Sequence, residues 1–224
     1  MKILLVLAFA AMMNPLLSLA ESGQAHPAAP APPSAEALWK DLMAGNRRFV
    51  LAANRELDHV LQRERLAKGQ QPKVAVLACS DSRVAPEILF DKGLGELFVV
   101  RDAGNSADPI ALGSLEYAVE HLGTSVIVVL GHQGCGAVTA ACSGEKMPAP
   151  NLDAVVRPIL ASCSEAKNTA AGGIDAAIRD HVRRTAADLL KQSEVLSHAA
   201  AEGKLTIIDA YYQLETGKVE RLPQ

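Results

Sequence analysis

Three apolar runs constrain this chain more than any other feature: KVAVLAC (Lys73 to Cys79), ELFVVR (Glu96 to Arg101) and SVIVVLGH (Ser125 to His132). They are rich in valine and isoleucine and do not alternate with polar residues, the pattern of strands covered on both faces. Between them lie APEILFDKG and DPIALGSLEYAVEHLG, both helix-like and each ending at a glycine suited to a C-cap. Strand, helix, strand, helix, strand predicts a parallel sheet with right-handed crossovers. Beyond Cys135 the chain reads as mainly helical to His198. The segment KLTIIDAYYQLETGKVERL then reads as a strand, a turn at Thr216-Gly217 and a second strand. The expected fold is α/β: a central, mostly parallel β-sheet flanked by helices, with an N-terminal helical arm and a C-terminal edge strand.

The first residues stand apart from that pattern. Lys2 precedes an apolar stretch, and Ser18-Leu19-Ala20 supplies the small residues of a cleavage site, so residues 1–20 read as a signal peptide. Asn14 and Pro15 interrupt the run and disfavour an uncleaved anchor. Residues 21–33 are crowded with proline and alanine, as in an extended leader. A single folded domain is expected over 34–224, with Ser34 as N-cap of a helix whose apolar spacing is interrupted around Gly45. The expected location is periplasmic or secreted. A net charge of -3 and an aromatic content of 4% give no reason to expect nucleic acid or an anionic membrane surface as partner.

In open α/β sheets, ligands bind beyond the carboxyl ends of the strands. Here those ends carry Cys79 and Asp81 on the first strand, Arg101, Asp102, Gly104 and Asn105 on the second, and His132 and Cys135 on the third. Cys79 and Asp81 are two apart, so they share a face of an extended chain. His132 and Cys135 form H-x-x-C, with Gly134 and Gly136 allowing a tight turn. Two thiols, an imidazole and a carboxylate are a tetrahedral zinc set, and the thiolates disfavour magnesium and calcium. Asp81 has two options: it can close the set as a fourth ligand, or it can pair with Arg83 and leave that position to water. In the second case Asp81 orients the water.

The motifs CSDSR and GHQGCG resemble those of the β-class carbonic anhydrases, and the resemblance runs from EALWKDLMAGNRRFV through GSLEYAVEHLG to YYQLETGKVERL. It implies reversible hydration of carbon dioxide to bicarbonate and a proton by a zinc-bound hydroxide. One Zn2+ per chain would be held by Cys79, His132 and Cys135. Asp81 and Arg83 would be the family's dyad, with Asp81 the fourth ligand only in an inactive closed state; an open state is expected near neutral pH. Gln70, Phe98, Ala103 and Tyr117 match the substrate pocket of the plant-type subtype. Part of that pocket comes from a neighbouring subunit, so a homodimer or higher homo-oligomer is implied. Asp102 departs from the family's RNAG/N pattern and has no assigned role. A carbonyl sulfide or carbon disulfide hydrolase on the same scaffold, or a zinc-stabilised binding module, are the rival readings. The absence of C-x-x-C argues against redox chemistry.

His121, His181 and His198 read as solvated helix residues outside the site. Cys142 reads as packed core on the face of Cys135, with a disulfide to Cys163 as the alternative.

Overall fold

The computed structural model describes residues 32–168 and 173–223; the signal peptide expected over residues 1–20 and most of the expected leader lie outside the described residues. Four strands run parallel: β1 (Val74–Cys79), β2 (Leu97–Asp102), β3 (Val126–His132) and β4 (Thr206–Tyr212). A short β5 (Val219–Arg221) pairs antiparallel with β4, so the order across the sheet is β2-β1-β3-β4-β5. Every residue of β1 and β3 is buried.

The lack of alternation in the sequence has a direct cause. Side chains of a strand point alternately to the two faces, and here both faces meet helices. Ala75, Leu77 and Cys79 enter one core with Ile127 and Val129. Val74, Val76 and Ala78 enter the other with Val128 and Leu130. The first core is closed by α4 (Pro109–Leu122), α5 (Gly136–Ser143) and α8 (Ile174–Gln192), through residues such as Leu115, Val138 and Ile178. The second is closed by α1 (Ala35–Val50) and α3 (Pro86–Leu89), through Trp39, Leu42 and Leu89. Truncating a residue as enclosed as Leu77 or Leu115 costs about 2–5 kcal/mol, because the hole refills only in part.

Several local expectations meet their chemistry. Ser34 caps α1, its hydroxyl accepting the Ala37 N–H at 3.2 Å. Asp108 caps α4 by accepting from Ile110 and Ala111, with Pro109 at the first turn and Gly123 at the end. The helix expected after Ser34 runs on through Gly45, where its apolar spacing lapses, and Phe90 lies against that glycine. A Cβ there would sit 1.8 Å from the Phe90 carbonyl oxygen. The α3 helix does not run on to a glycine cap but stops after one turn at Phe90, and Asp91 follows with φ 49°. The remaining helices are α2 (His59–Leu66), α6 (Pro150–Val156), α7 (Leu160–Asn168) and α9 (Glu194–Ala201). Ser193 separates α8 from α9; it accepts the Leu196 N–H at 3.1 Å and donates to Glu116 at 2.6 Å. Cys142 is not merely packed: it is bonded to Cys163, with Cα atoms 5.2 Å apart, and so ties α5 to α7. Among the described residues no helix is long and apolar enough to cross a membrane.

Candidate metal centre

The site stands where β1 and β3, neighbours in the sheet, both end. Cys79 is the last residue of β1 and His132 the last of β3. Cys135 follows the turn after β3 and is the N-cap of α5. The ligand atoms of these three buried residues all lie within 4.8 Å of one another.

Each is held by its surroundings. The Cys79 sulfur accepts the Gly104 N–H at 3.4 Å. Its thiol is held well below the ordinary range, first by a hydrogen bond with the free thiol of Cys135 and then by His132 and Gly104. The same bond and burial push Cys135 up, while the Val138 and Ala137 amides at the start of α5 act in the opposite direction and favour its thiolate. The His132 Nδ1 donates to the Gln133 carbonyl at 3.0 Å. Gln133 in turn is fixed by the Tyr212 carbonyl and the Glu215 amide. This leaves the His132 Nε2 lone pair facing the sulfurs, and that buried atom has no hydrogen-bond partner among the described residues. Two sulfurs and an unpartnered imidazole nitrogen, with the other nitrogen anchored to a carbonyl, are a donor set that fits zinc.

Asp81 is outside this cluster. Its carboxylate is gripped by Arg83 in a two-pronged pair, Nε to Oδ1 at 2.9 Å and Nη2 to Oδ2 at 2.7 Å. The Arg83 amide adds a third bond to Oδ1 at 2.9 Å. Arg83 is the main reason the Asp81 carboxyl lies far below the usual range. Its Oδ2 is 4.0 Å from the His132 Nε2, so the carboxylate borders the centre while belonging to the guanidinium.

The end of β2 supports the turn between them. Arg101 donates to the Cys79 carbonyl at 3.0 Å and the Asp81 carbonyl at 2.7 Å. The Asp102 carbonyl takes the Ser80 N–H at 2.7 Å. The Asp102 side chain accepts the Ser106 N–H at 2.9 Å and so braces the loop 102–106; burial pushes its carboxyl up to about 6. Ala103, exposed, precedes Gly104 in that loop.

The other pocket residues do not reach their own chain's centre. Gln70 precedes β1, at the end opposite Cys79, and is exposed. Phe98 pairs with Ala75, near the start of β1. Tyr117 stands half-exposed on α4, its ring 6.4 Å from that of Phe98. Of the helix histidines, His121 and His198 are exposed. His181 is not: it is 2% exposed and bonds the Gly104 carbonyl at 2.8 Å, correcting its reading as solvated. Its spacing with Ile178, Val182 and Thr185 is the signal that places it on the buried face of α8.

A family model described as carbonic anhydrase matches residues 74–219. Carbonic anhydrase 2 of Mycobacterium tuberculosis is 41% identical over 189 residues, which cover 81% of this chain and 90% of that protein. The carbonic anhydrase of Mycolicibacterium smegmatis is 39% identical over 188 residues, covering 82% and 91%. Among solved structures, the Coccomyxa β-carbonic anhydrase in complex with acetazolamide aligns with a TM-score of 0.67 at 27% identity, over 82% of this chain and 85% of that one.

Proposed function

This chain belongs to the β-class carbonic anhydrases, and from that premise we propose that it hydrates carbon dioxide reversibly at a zinc ion held by Cys79, His132 and Cys135. The observation that carries the proposal is the buried pair of sulfurs beside an unpartnered His132 Nε2, with an arginine-held carboxylate on its border. When bound, zinc supplies the Lewis acidity that makes water a nucleophile near neutral pH.

The chain's own residues do the rest. Asp81, held as a carboxylate, would accept a hydrogen bond from the attacking water and so aim its lone pair at carbon dioxide. Arg83 keeps the carboxylate ionised and off the metal, so Asp81 is a neighbour of the centre and not a fourth ligand at neutral pH. Carbon dioxide is small, apolar and neutral, so it needs an apolar pocket and one donor where charge develops. Ala103 supplies wall from the same chain. Phe98, Tyr117 and the donor Gln70 come from a second copy, because in one chain Gln70 and Phe98 sit toward the wrong end of the sheet. This is the plant-type pocket set, and it makes the active species a homodimer or a multiple of it. The β2 strand, an edge of the sheet, and exposed Ile110 and Tyr117 on α4 leave a surface suited to that association.

The signal-like residues 1–20 and the Cys142–Cys163 disulfide both suit a periplasmic or secreted enzyme, since disulfides persist in oxidising compartments. Stopped-flow hydration of carbon dioxide, with zinc analysis of the same sample, tests the proposal. Zinc near one per chain and rapid hydration are expected. A zinc-loaded oligomer without hydration activity would overturn it.

A further inference from the structure

Helix α8 turns an apolar face to the sheet through Ile178, Val182 and Leu189, yet His181 lies on that same face. A buried imidazole is costly unless its polar atoms are used. The His181 Nε2 lies 2.8 Å from the Gly104 carbonyl oxygen and 3.3 Å from the Ser106 hydroxyl. A carbonyl oxygen only accepts, so Nε2 carries the proton. Nδ1 is then a buried acceptor, and it has no hydrogen-bond partner among the described residues. Protonating it would create a buried donor without an acceptor, and burial lowers the pKa of the ring, so His181 stays neutral with its Nε2–H on Gly104.

Gly104 is the residue whose N–H meets the Cys79 sulfur. It has φ 94°, which favours glycine. It is also clamped: a Cβ there would lie 2.9 Å from Ile159 Cδ1 and 3.2 Å from the Cβ of Ala137, in the first turn of α5. The carbonyl of Gly104 faces His181 and its N–H faces Cys79, so one residue transmits the position of α8 to a metal ligand.

We propose that His181 is a positioning residue, which holds Gly104 so that its N–H stays on the Cys79 sulfur and thereby tunes how that thiolate binds the metal. The proposal rests on the assignment of Cys79, His132 and Cys135 as metal ligands. It goes beyond that assignment by adding a residue two contacts away from the ligand Cys79.

The test compares His181→Leu, which fills space without a donor, with His181→Gln, whose amide can donate at similar reach. Each is loaded with zinc, and separately with cobalt(II). The readouts are the rate of zinc loss to a chelator and the energy of the cysteine-to-cobalt charge-transfer band. His181→Leu should lose zinc about 10- to 100-fold faster and shift the band, and His181→Gln should restore both toward wild type. An unchanged band and release rate in His181→Leu would overturn the proposal. So would equal changes in both variants, because the ring would then act by shape alone. Should His181→Leu fail to fold, wild type loaded with cadmium-113 decides: a scalar coupling between the metal and the Gly104 amide proton through the Cys79 sulfur, with a neutral Nε2–H tautomer at His181, is expected, and the absence of either overturns it. Zinc stoichiometry and hydration of wild type, measured first, separate the two ideas. Metal without hydration defeats the functional proposal alone, whereas no metal defeats both.

Discussion

At Asp91 a carboxylate is almost wholly buried, and its oxygens are met by Arg48, the Arg55 amide and Asn54. At the ends of β1 and β3, His132 is as deeply buried, and its Nε2 has no hydrogen-bond partner among the described residues. Both places take polar groups out of water, where an unmatched group costs about 1–3 kcal/mol. The Asp91 knot is complete within the chain and holds α1 and the turn after α3 together. The His132 cluster is complete only when something else arrives. The difference separates a polar group that serves the fold from one that serves a ligand.

Four changes would break or sharpen that contrast. Cys135→Ala should abolish zinc binding and bring hydration to background, read by elemental analysis and stopped-flow; metal retained near one per chain would remove Cys135 from the ligand set. Arg83→Ala should keep zinc but slow hydration on the order of a hundredfold, since Asp81 loses the partner that keeps it in place. Near wild-type turnover in that variant would end the role given to the pair. Cys142→Ser with Cys163→Ser should lower stability by about 3 kcal/mol, read by urea unfolding, because the bond closes a loop of the unfolded chain.

Asp91→Asn should have the smallest effect, about 2 kcal/mol at neutral pH, with hydration per folded enzyme unchanged. The estimate is held below that of a fully buried pair because Arg48 and Arg55 are each about one-third exposed. Burial by itself would raise the Asp91 carboxyl, but Arg48 and the Arg55 amide outweigh it and the pKa lies below the usual value. The stability it contributes is therefore present above the unfolded carboxyl pKa of about 4 and is lost as pH falls through the lower folded value. The gap between wild type and Asp91→Asn should shrink as the solution is made acidic. A gap independent of pH would show that the carboxylate charge is not what holds the knot.

The sheet was legible because its signal is local. Val74–Cys79, Leu97–Asp102 and Val126–His132 are each within a residue of the apolar runs that announce them. The clustering of Cys79, His132 and Cys135 was legible too, since strand ends and spacing put them at one edge. What could not be read depends on partners remote in the chain. Gly45 marks only a lapse in the apolar spacing of α1 until Phe90 is seen against it. The spacing of His181 marks the buried face of α8, but its partner, the Gly104 carbonyl, lies 77 residues away in the chain. The acceptor for His132 is the carbonyl of the next residue, Gln133, and a backbone carbonyl has no letter in a sequence. The Asp102 side chain, which had no role on paper, ties down the loop that carries Gly104.

The pairing of β1 with β3 has a consequence in time. Cys79 ends one strand and His132 the other, and α3, β2 and α4 lie between them in the chain. Contacts of that kind form late, because a long segment must be ordered before they are rewarded. Until then the four cysteines are separate thiols on a loose chain, and under oxidising conditions any two of them can join. A metal held by Cys79, His132 and Cys135 would therefore be captured only late in assembly. Binding only the native form, it would draw the population toward that form and keep Cys79 and Cys135 from a mispaired bond with Cys142 or Cys163.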